Sequence, residues 1–413
     1  MMGTDVLVVG GGPAGMAAAL SAAQSGAGSV LIVERNERLG GILNQCIHNG
    51  FGLTLFGKEL TGPEYAGRYA DQIGQAEIPC LFNTTVVSMT GNKEVLIRNT
   101  DGERQIEAGA VILATGCRER PRGAISIPGS RPAGVYSAGT VQKLINCCGY
   151  MPGKRAVILG SGDIGLIMAR RLTLEGAHVE AVCEIMPYSS GLKRNIVQCL
   201  EDYDIPLYLS HTVTRIFGRE RVEGVEISGV DEHLAPVEGT QRFIECDTLL
   251  LSVGLIPENE LAGYAGIVMD AKTGGPLVND RLETSVPGIF ACGNSLHVHD
   301  LADFASLEAV EAGKNAAAYV KAGGEACQEF ECRAGNGIGS VVPQRMSAKA
   351  LAEGATAYIR VGRPFENASI VIKRGDRVIR TVRSPRLTPG EMVKTVVRDS
   401  GDGDLTFEVD SHD

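Results

Sequence analysis

Residues 5–15 read Asp5-Val6-Leu7-Val8-Val9-Gly10-Gly11-Gly12-Pro13-Ala14-Gly15, and the next apolar run, Val30-Leu31-Ile32-Val33, closes on Glu34. Further along, Ala156-Val157-Ile158-Leu159 leads into Gly160-Ser161-Gly162-Asp163-Ile164-Gly165, and the run after it closes on Glu184. In both copies the acid lies 24 residues beyond the first glycine. A lone glycine-rich turn is weak evidence, because such turns are common. Two of them in one register, each between a strand and a helix and each answered by an acid, are strong evidence for two dinucleotide sites. The first glycine permits the tight turn, the second lets the pyrophosphate approach the backbone, and the third lets helix pack on strand. The phosphates then meet free N–H groups at a helix N-terminus, and the acid accepts from ribose hydroxyls.

Composition bounds the rest. At 413 residues there is room for two or three domains with filled cores. Glycine is abundant at 53 and tryptophan is absent, a profile suited to α/β domains with tight turns. The net charge of −10 argues against nucleic acid and anionic membrane surfaces as partners. No apolar stretch approaches the ~20 residues of a bilayer span, and a first strand by Asp5 leaves no room for a signal peptide. A cytoplasmic location is expected. The eleven cysteines carry no Cys-x-x-Cys and no zinc or iron–sulfur spacing, so most read as small buried apolar residues.

Further strands are expected at 84–89, 94–98, 109–113, 178–184, 206–209, 222–227 and 247–253, and a long helix ends near Val320. Beyond Gly323-Gly324 the pattern changes. Strands are expected at 356–361, 369–373 and 378–382, the last two joined at Arg374-Gly375-Asp376-Arg377. A short helix over 390–398 and a strand at 405–409 complete this tail.

Over residues 1 to about 325 the chain resembles the flavoprotein oxidoreductases of the thioredoxin-reductase and disulfide-reductase superfamily. The resemblance rests on both fingerprints, on Ala114-Thr115-Gly116, and on Ala291-Cys292-Gly293-Asn294, where asparagine replaces the usual aspartate. It implies an α/β fold of two Rossmann-like dinucleotide-binding domains, the FAD domain discontinuous (1–121 and 254–325) with the NAD domain (122–253) inserted. A small β-rich C-terminal domain (331–413) follows. By that resemblance Gly10, Gly12, Pro13, Ala14, Gly15, Glu34, Arg35, Gly41, Val86, Thr115, Gly116, Gly293 and Asn294 bind FAD. Gly160, Gly162, Asp163, Ile164, Gly165, Glu184 and Gly254 bind NAD(H). The helix from about Leu301 would aim its positive end at the flavin. NADH is favoured over NADPH, since Glu184 repels a 2′-phosphate and Ile185-Met186-Pro187 offers no arginine, although Lys193 and Arg194 lie further on.

Disulfide reductases carry two cysteines in the segment matching Gly40–Gly52, where this chain has Cys46 alone, followed by His48. Cys46 is the one catalytic candidate, a flavin-facing thiolate, against the blander reading of a packed cysteine. The adjacent Cys147-Cys148 pair stands near the thioredoxin-reductase dithiol position, but a vicinal disulfide is strained. His297-Val298-His299-Asp300 with Asp303 sketches a metal site that a turn explains as well, and Asp399–Asp404 lacks the ligand pattern of a calcium loop. No metal is expected.

The segment Ala114–Pro121 resembles flavoprotein subunits of bacterial opine oxidases and cyanide synthases. Gly40–Gly52 together with Gly160–Gly165 resembles flavoproteins that accompany an anaerobic FAD-dependent glycerol-3-phosphate dehydrogenase and a small cysteine-containing protein. This resemblance implies electron transfer between NADH, FAD and a substrate-oxidising partner subunit. A stand-alone NADH oxidase or thiol/disulfide reductase, a non-catalytic nucleotide-holding subunit, and a homo-oligomer all stay open.

Overall fold

The computed structural model describes residues 2–324 and 327–411. The boundary expected at 325 and the end of the tail at 413 lie outside the described residues. The chain forms two compact units, Met1–Cys117 with Pro257–Asp413, and Arg118–Ile256.

In the first unit a seven-stranded sheet runs Cys80–Leu81, Val30–Val33, Met2–Val9, Gly102–Leu113, Glu94–Asn99, Thr85–Met89, with Ile289–Ala291 added beside Gly102–Leu113. Met2–Val9 pairs in parallel with Val30–Val33 and with Gly102–Leu113, and Ile289–Ala291 pairs in parallel with Gly102–Leu113. The apolar runs of Met2–Val9, Val30–Val33 and Ile289–Ala291 are buried. Burial on both faces is why they read as continuous apolar runs rather than alternating ones. One face is covered by Pro13–Gln24 and Ala302–Ala322 packed together. Both helices bury several alanines, and at Gly313 a Cβ would lie 2.1 Å from the Ala18 carbonyl oxygen. Ser21 Oγ donates across the seam to Val310 O at 2.6 Å.

The β-rich tail belongs to this unit yet has its own apolar core around Phe330, Met346, Ile359, Ile370, Ile372 and Phe407. A five-stranded sheet (Arg345–Ser347, Glu329–Ala334, Leu405–Ser411, Phe365–Arg374, Arg377–Leu387) accompanies a three-stranded one (Ile338–Val342, Ala355–Val361, Val393–Val397). The hairpin turn at Gly375-Asp376 is as expected. The helix expected over 390–398 is instead the strand Val393–Val397, paired antiparallel with Ala355–Val361. Its residues Val393, Thr395 and Val397 alternate inward, a period of two that β-branched side chains favour.

The second unit holds a parallel sheet in the order Val135–Ser137, Thr248–Leu251, Arg155–Leu159, His178–Glu184, Leu207–Leu209, and a three-stranded antiparallel sheet spanning His211–Glu245. Ala156 and Ile158 face one core and Val157 and Leu159 the other, so the central strand is buried on both sides. Among the described residues no helix is long and apolar enough to cross a membrane.

Candidate functional site: two dinucleotide fingerprints

Each fingerprint glycine meets a different constraint. Gly10 has φ +108°, and a Cβ there would lie 2.4 Å from the Ala114 carbonyl oxygen. At Gly15 a Cβ would fall 1.8 Å from Gly10 O, the place where helix rests on strand. Nothing lies within 4 Å of a Cβ at Gly12, which caps Pro13–Gln24 without any side-chain cap. The second copy repeats this: Gly160 has φ +99° against Ser252 O, Gly165 abuts Gly160 O, and Gly162 opens Asp163–Leu174 uncapped by a side chain. An uncapped helix start beside open backbone is the cradle a pyrophosphate requires. The residues present therefore fit two dinucleotides.

Both acids are buried, and backbone amides hold them. Glu34 Oε2 accepts from Gly11 N at 2.7 Å, and Oε1 accepts from Asn36 N at 2.7 Å and Asn36 Nδ2 at 2.8 Å. Glu184 Oε2 accepts from Ser161 N at 3.0 Å and Ser161 Oγ at 2.6 Å, and Oε1 from Met186 N at 3.0 Å. Carboxylate oxygens have spare lone pairs, so each acid still has capacity for a hydroxyl donor.

The remaining expected positions lie on loops, helices and strands of the same two units. Gly40 N donates to Gly11 O, and Gly41 packs a Cβ-width from Gly12. Thr115 Oγ1 donates to Glu258 O at 2.7 Å, and Gly116 O accepts from Glu258 N. Arg35 pairs with Glu258 at 3.2 Å on the exposed rim, and Val86 lies on the strand Thr85–Met89, half-buried against the core. In the second unit Asp163 Oδ1 accepts from Leu192 N and Asn195 Nδ2, folding 189–195 over the turn, with Lys193 and Arg194 at its edge. Ile164 packs on the core, and Gly254, at φ +98°, accepts from Arg120 N.

Gly293 and Asn294 follow Ile289–Ala291. Asn294 Oδ1 accepts from His299 N at 3.0 Å, and Nδ2 lies 3.5 Å from Cys117 Sγ. The helix Ala302–Ala322 has no side-chain cap. Its first-turn Asp303 is buried and accepts from Gly52 N, Thr54 N and Leu55 N, so this acid is committed to the 52–55 loop.

Cys46 is buried, with Sγ donating to Ile42 O at 3.4 Å, and the His48 ring rests on Phe51. None of the eleven cysteines is in a disulfide. Burial pushes the Cys183 and Cys246 thiols up to about 12, which keeps them protonated at neutral pH, while Cys147 and Cys148 are exposed. Asp399 holds Arg374 and Arg377 within the tail, a structural turn.

Along the chain, His297 and His299 group with Asp300 and Asp303. In space both histidines instead face Glu308, which the sequence pattern did not single out, because it lies nine residues beyond His299, in the second turn of the helix Ala302–Ala322. One donor atom from each of the three lies within 4.8 Å of the others. Glu308 Oε2 stands 2.6 Å from His297 Nε2 and 3.4 Å from His299 Nε2, and Oε1 accepts from Gly293 N at 2.8 Å. Burial pushes the His297 pKa down, which Glu308 offsets in part. Burial also opposes ionisation of Glu308, but the two imidazoles outweigh it and hold that carboxyl well below the usual range. Neither ring nitrogen of His299 makes a hydrogen bond, although the side chain is 1% exposed. Such an unpaired buried group costs about 1–3 kcal/mol.

A family model described as pyridine nucleotide-disulphide oxidoreductase matches residues 4–311. An opine oxidase subunit of Rhizobium meliloti is 27% identical over 70% of this chain and 58% of its own length. The hydrogen cyanide synthase subunit HcnB of Pseudomonas protegens is 27% identical over 71% of this chain and 66% of its own. The chain thus spans about three-fifths of the length of the curated relatives it matches. The thioredoxin reductase of T. acidophilum superposes with a TM-score of 0.61 at 27% identity, covering 78% of this chain and 98% of that one.

Proposed function

The chain belongs to the pyridine nucleotide-disulphide oxidoreductase family, which uses FAD and NAD(P)H, and from that premise we propose that it is the NADH-linked flavoprotein of an electron-transfer assembly. FAD is held on 1–121 with 254–325, and NADH on 122–253. A partner subunit oxidises the small substrate, a dehydrogenase of the glycerol-3-phosphate type with a small cysteine-containing protein beside it. The assembly is placed in the cytoplasm.

The observation that carries this is the duplicated cradle: two uncapped helix starts, each with a buried carboxylate aimed by backbone amides. Bound FAD and NADH would supply hydride transfer between nicotinamide and flavin. The chain's own residues bind and orient. Gly12 and Gly162 leave backbone open to phosphate, Glu34 and Glu184 receive ribose hydroxyls, and Glu184 disfavours a 2′-phosphate by its charge. No acid–base residue is needed for a hydride step, and the cradle carboxylates Glu34, Asp163 and Glu184 are already engaged by hydrogen bonds. The partner is supported by the two relatives named as subunits, and its substrate class by the Gly40–Gly52 segment.

Anaerobic titration of the purified flavoprotein with NADH, then NADPH, tests this function through the flavin absorbance. NADH should bleach the flavin with little turnover of oxygen or disulfide, and Gly162→Ala should weaken NADH by at least about tenfold without unfolding the chain. Rapid disulfide turnover that Cys46→Ser abolishes would replace this reading with a thiol/disulfide reductase. A flavin that neither nucleotide reduces would leave a nucleotide-holding subunit.

A further inference from the structure

The His297, His299 and Glu308 side chains lie outside both glycine turns, although Glu308 Oε1 accepts from Gly293 N and Asn294 Oδ1 accepts from His299 N. We propose that these three side chains bind one first-row divalent cation, zinc in the first instance, through two imidazole nitrogens and one carboxylate oxygen.

The ligand set suits such an ion. Two imidazoles and a carboxylate match zinc and its first-row neighbours, whereas calcium and magnesium prefer oxygen throughout. Bonds of about 2.0–2.2 Å to a shared ion hold neighbouring donors roughly 3.0–3.5 Å apart. The 3.4 Å between His299 Nε2 and Glu308 Oε2 already fits that spacing. The 2.6 Å hydrogen bond from His297 Nε2 to the same oxygen must open by well under ~1 Å.

A His297–Glu308 pair alone accounts for two of the three side chains. It leaves His299 buried with both ring nitrogens unpartnered, beside a carboxylate it does not bond in good geometry. A cation at the shared point partners that imidazole and adds a full positive charge beside the buried carboxylate.

The surroundings orient the set as metal sites require. Gly293 N holds Glu308 Oε1, which directs Oε2 at the imidazoles. His299 N is tied to Asn294 Oδ1. The tail grips the same loop: Arg360 donates to Val298 O at 2.8 Å and pairs with Asp300, whose second oxygen accepts from Met392 N at 2.7 Å. Asp300 is thereby spent on anchoring and Asp303 on the 52–55 loop, so neither competes as a ligand.

The test uses the full-length flavoprotein, stripped with a chelator, desalted and titrated with Zn²⁺ against a chromophoric competitor. Zinc K-edge X-ray absorption is then recorded at one equivalent. We expect one tightly held Zn²⁺ per chain with two imidazoles among its ligands. His299→Gln and Glu308→Gln should each weaken binding at least about a hundredfold, since loss of an outer partner of a metal ligand alone costs roughly 10–100-fold. The exposed His233→Gln should bind as the parent does. Wild-type affinity in H299Q, or absorption showing fewer than two imidazoles, would overturn the site. Should H299Q fail to fold, the wild-type absorption spectrum decides by itself. This readout is independent of whether NADH reduces the flavin, so its failure and that of the proposed function are separable.

Discussion

The two fingerprints use one backbone design with different side chains at its second position. At Gly11 a Cβ would lie 2.7 Å from Leu39 Cδ2 and 3.0 Å from a Glu34 oxygen, so a side chain in the first copy would have to push Leu39 aside. The second copy carries Ser161 at the matching place, and its hydroxyl becomes a further donor to Glu184. Glu34 makes up the difference from the other side, through the Asn36 side chain. In each copy a buried carboxylate accepts three hydrogen bonds, two from backbone and one from a side chain. Backbone geometry sets the site, and the local room decides which side chain completes it.

The largest break in the parallel should come at the third glycine. Gly15→Ala drives a Cβ to 1.8 Å from Gly10 O, a backbone atom that cannot swing aside, whereas the matching approach at Gly165 is 2.7 Å. We expect Gly15→Ala to lose ~4 kcal/mol or more and to purify without flavin. Gly165→Ala should cost ~1–3 kcal/mol and keep its flavin. Thermal melting with a flavin count separates the two, and equal losses would mean that the two helix–strand contacts are alike after all.

A smaller effect sharpens the second position. Ser161→Gly converts the second copy to the pattern of the first and removes one donor from Glu184. It should cost about 1 kcal/mol, equivalent to roughly fivefold weaker NADH binding by calorimetry. Unchanged affinity would show that the hydroxyl is a passenger.

The smallest effect is in acid. The second unit alone has Asp247 bridging its strands: the carboxylate accepts from Lys154 N, Arg155 N and Thr248 Oγ1. Burial opposes ionisation there, but those hydrogen bonds outweigh it and lower the pKa. A folded pKa below the unfolded one stabilises fully above the unfolded Asp value of about 4 and loses that stabilisation as pH falls through the folded value. Hydrogen exchange in the strand Arg155–Leu159 should therefore quicken below about pH 4 more in the parent than in Asp247→Asn. Equal quickening in the two would assign the effect to another group.

The fingerprints were legible because strand, turn, helix and acid are contiguous, and each glycine answers to a short, repeated pattern of spacing. The hairpin at Gly375-Asp376 and the helix Ala302–Ala322 were legible for the same reason. Val393–Val397 was not, since its strand form depends on pairing with Ala355–Val361, almost forty residues earlier. Asp303 reads as an ordinary first-turn acid until the 52–55 loop, some 250 residues before it, supplies three N–H groups.

By itself, then, the chain's order of residues determined an α/β protein with two dinucleotide cradles, because local spacing dictates backbone geometry. What only the tertiary structure decided is how buried charge is met. Arg360 reaches Asp300 from the tail, and a helix turn brings Glu308 to two histidines. A buried ion must find its partner in space, and linear spacing carries no record of which distant residue that is.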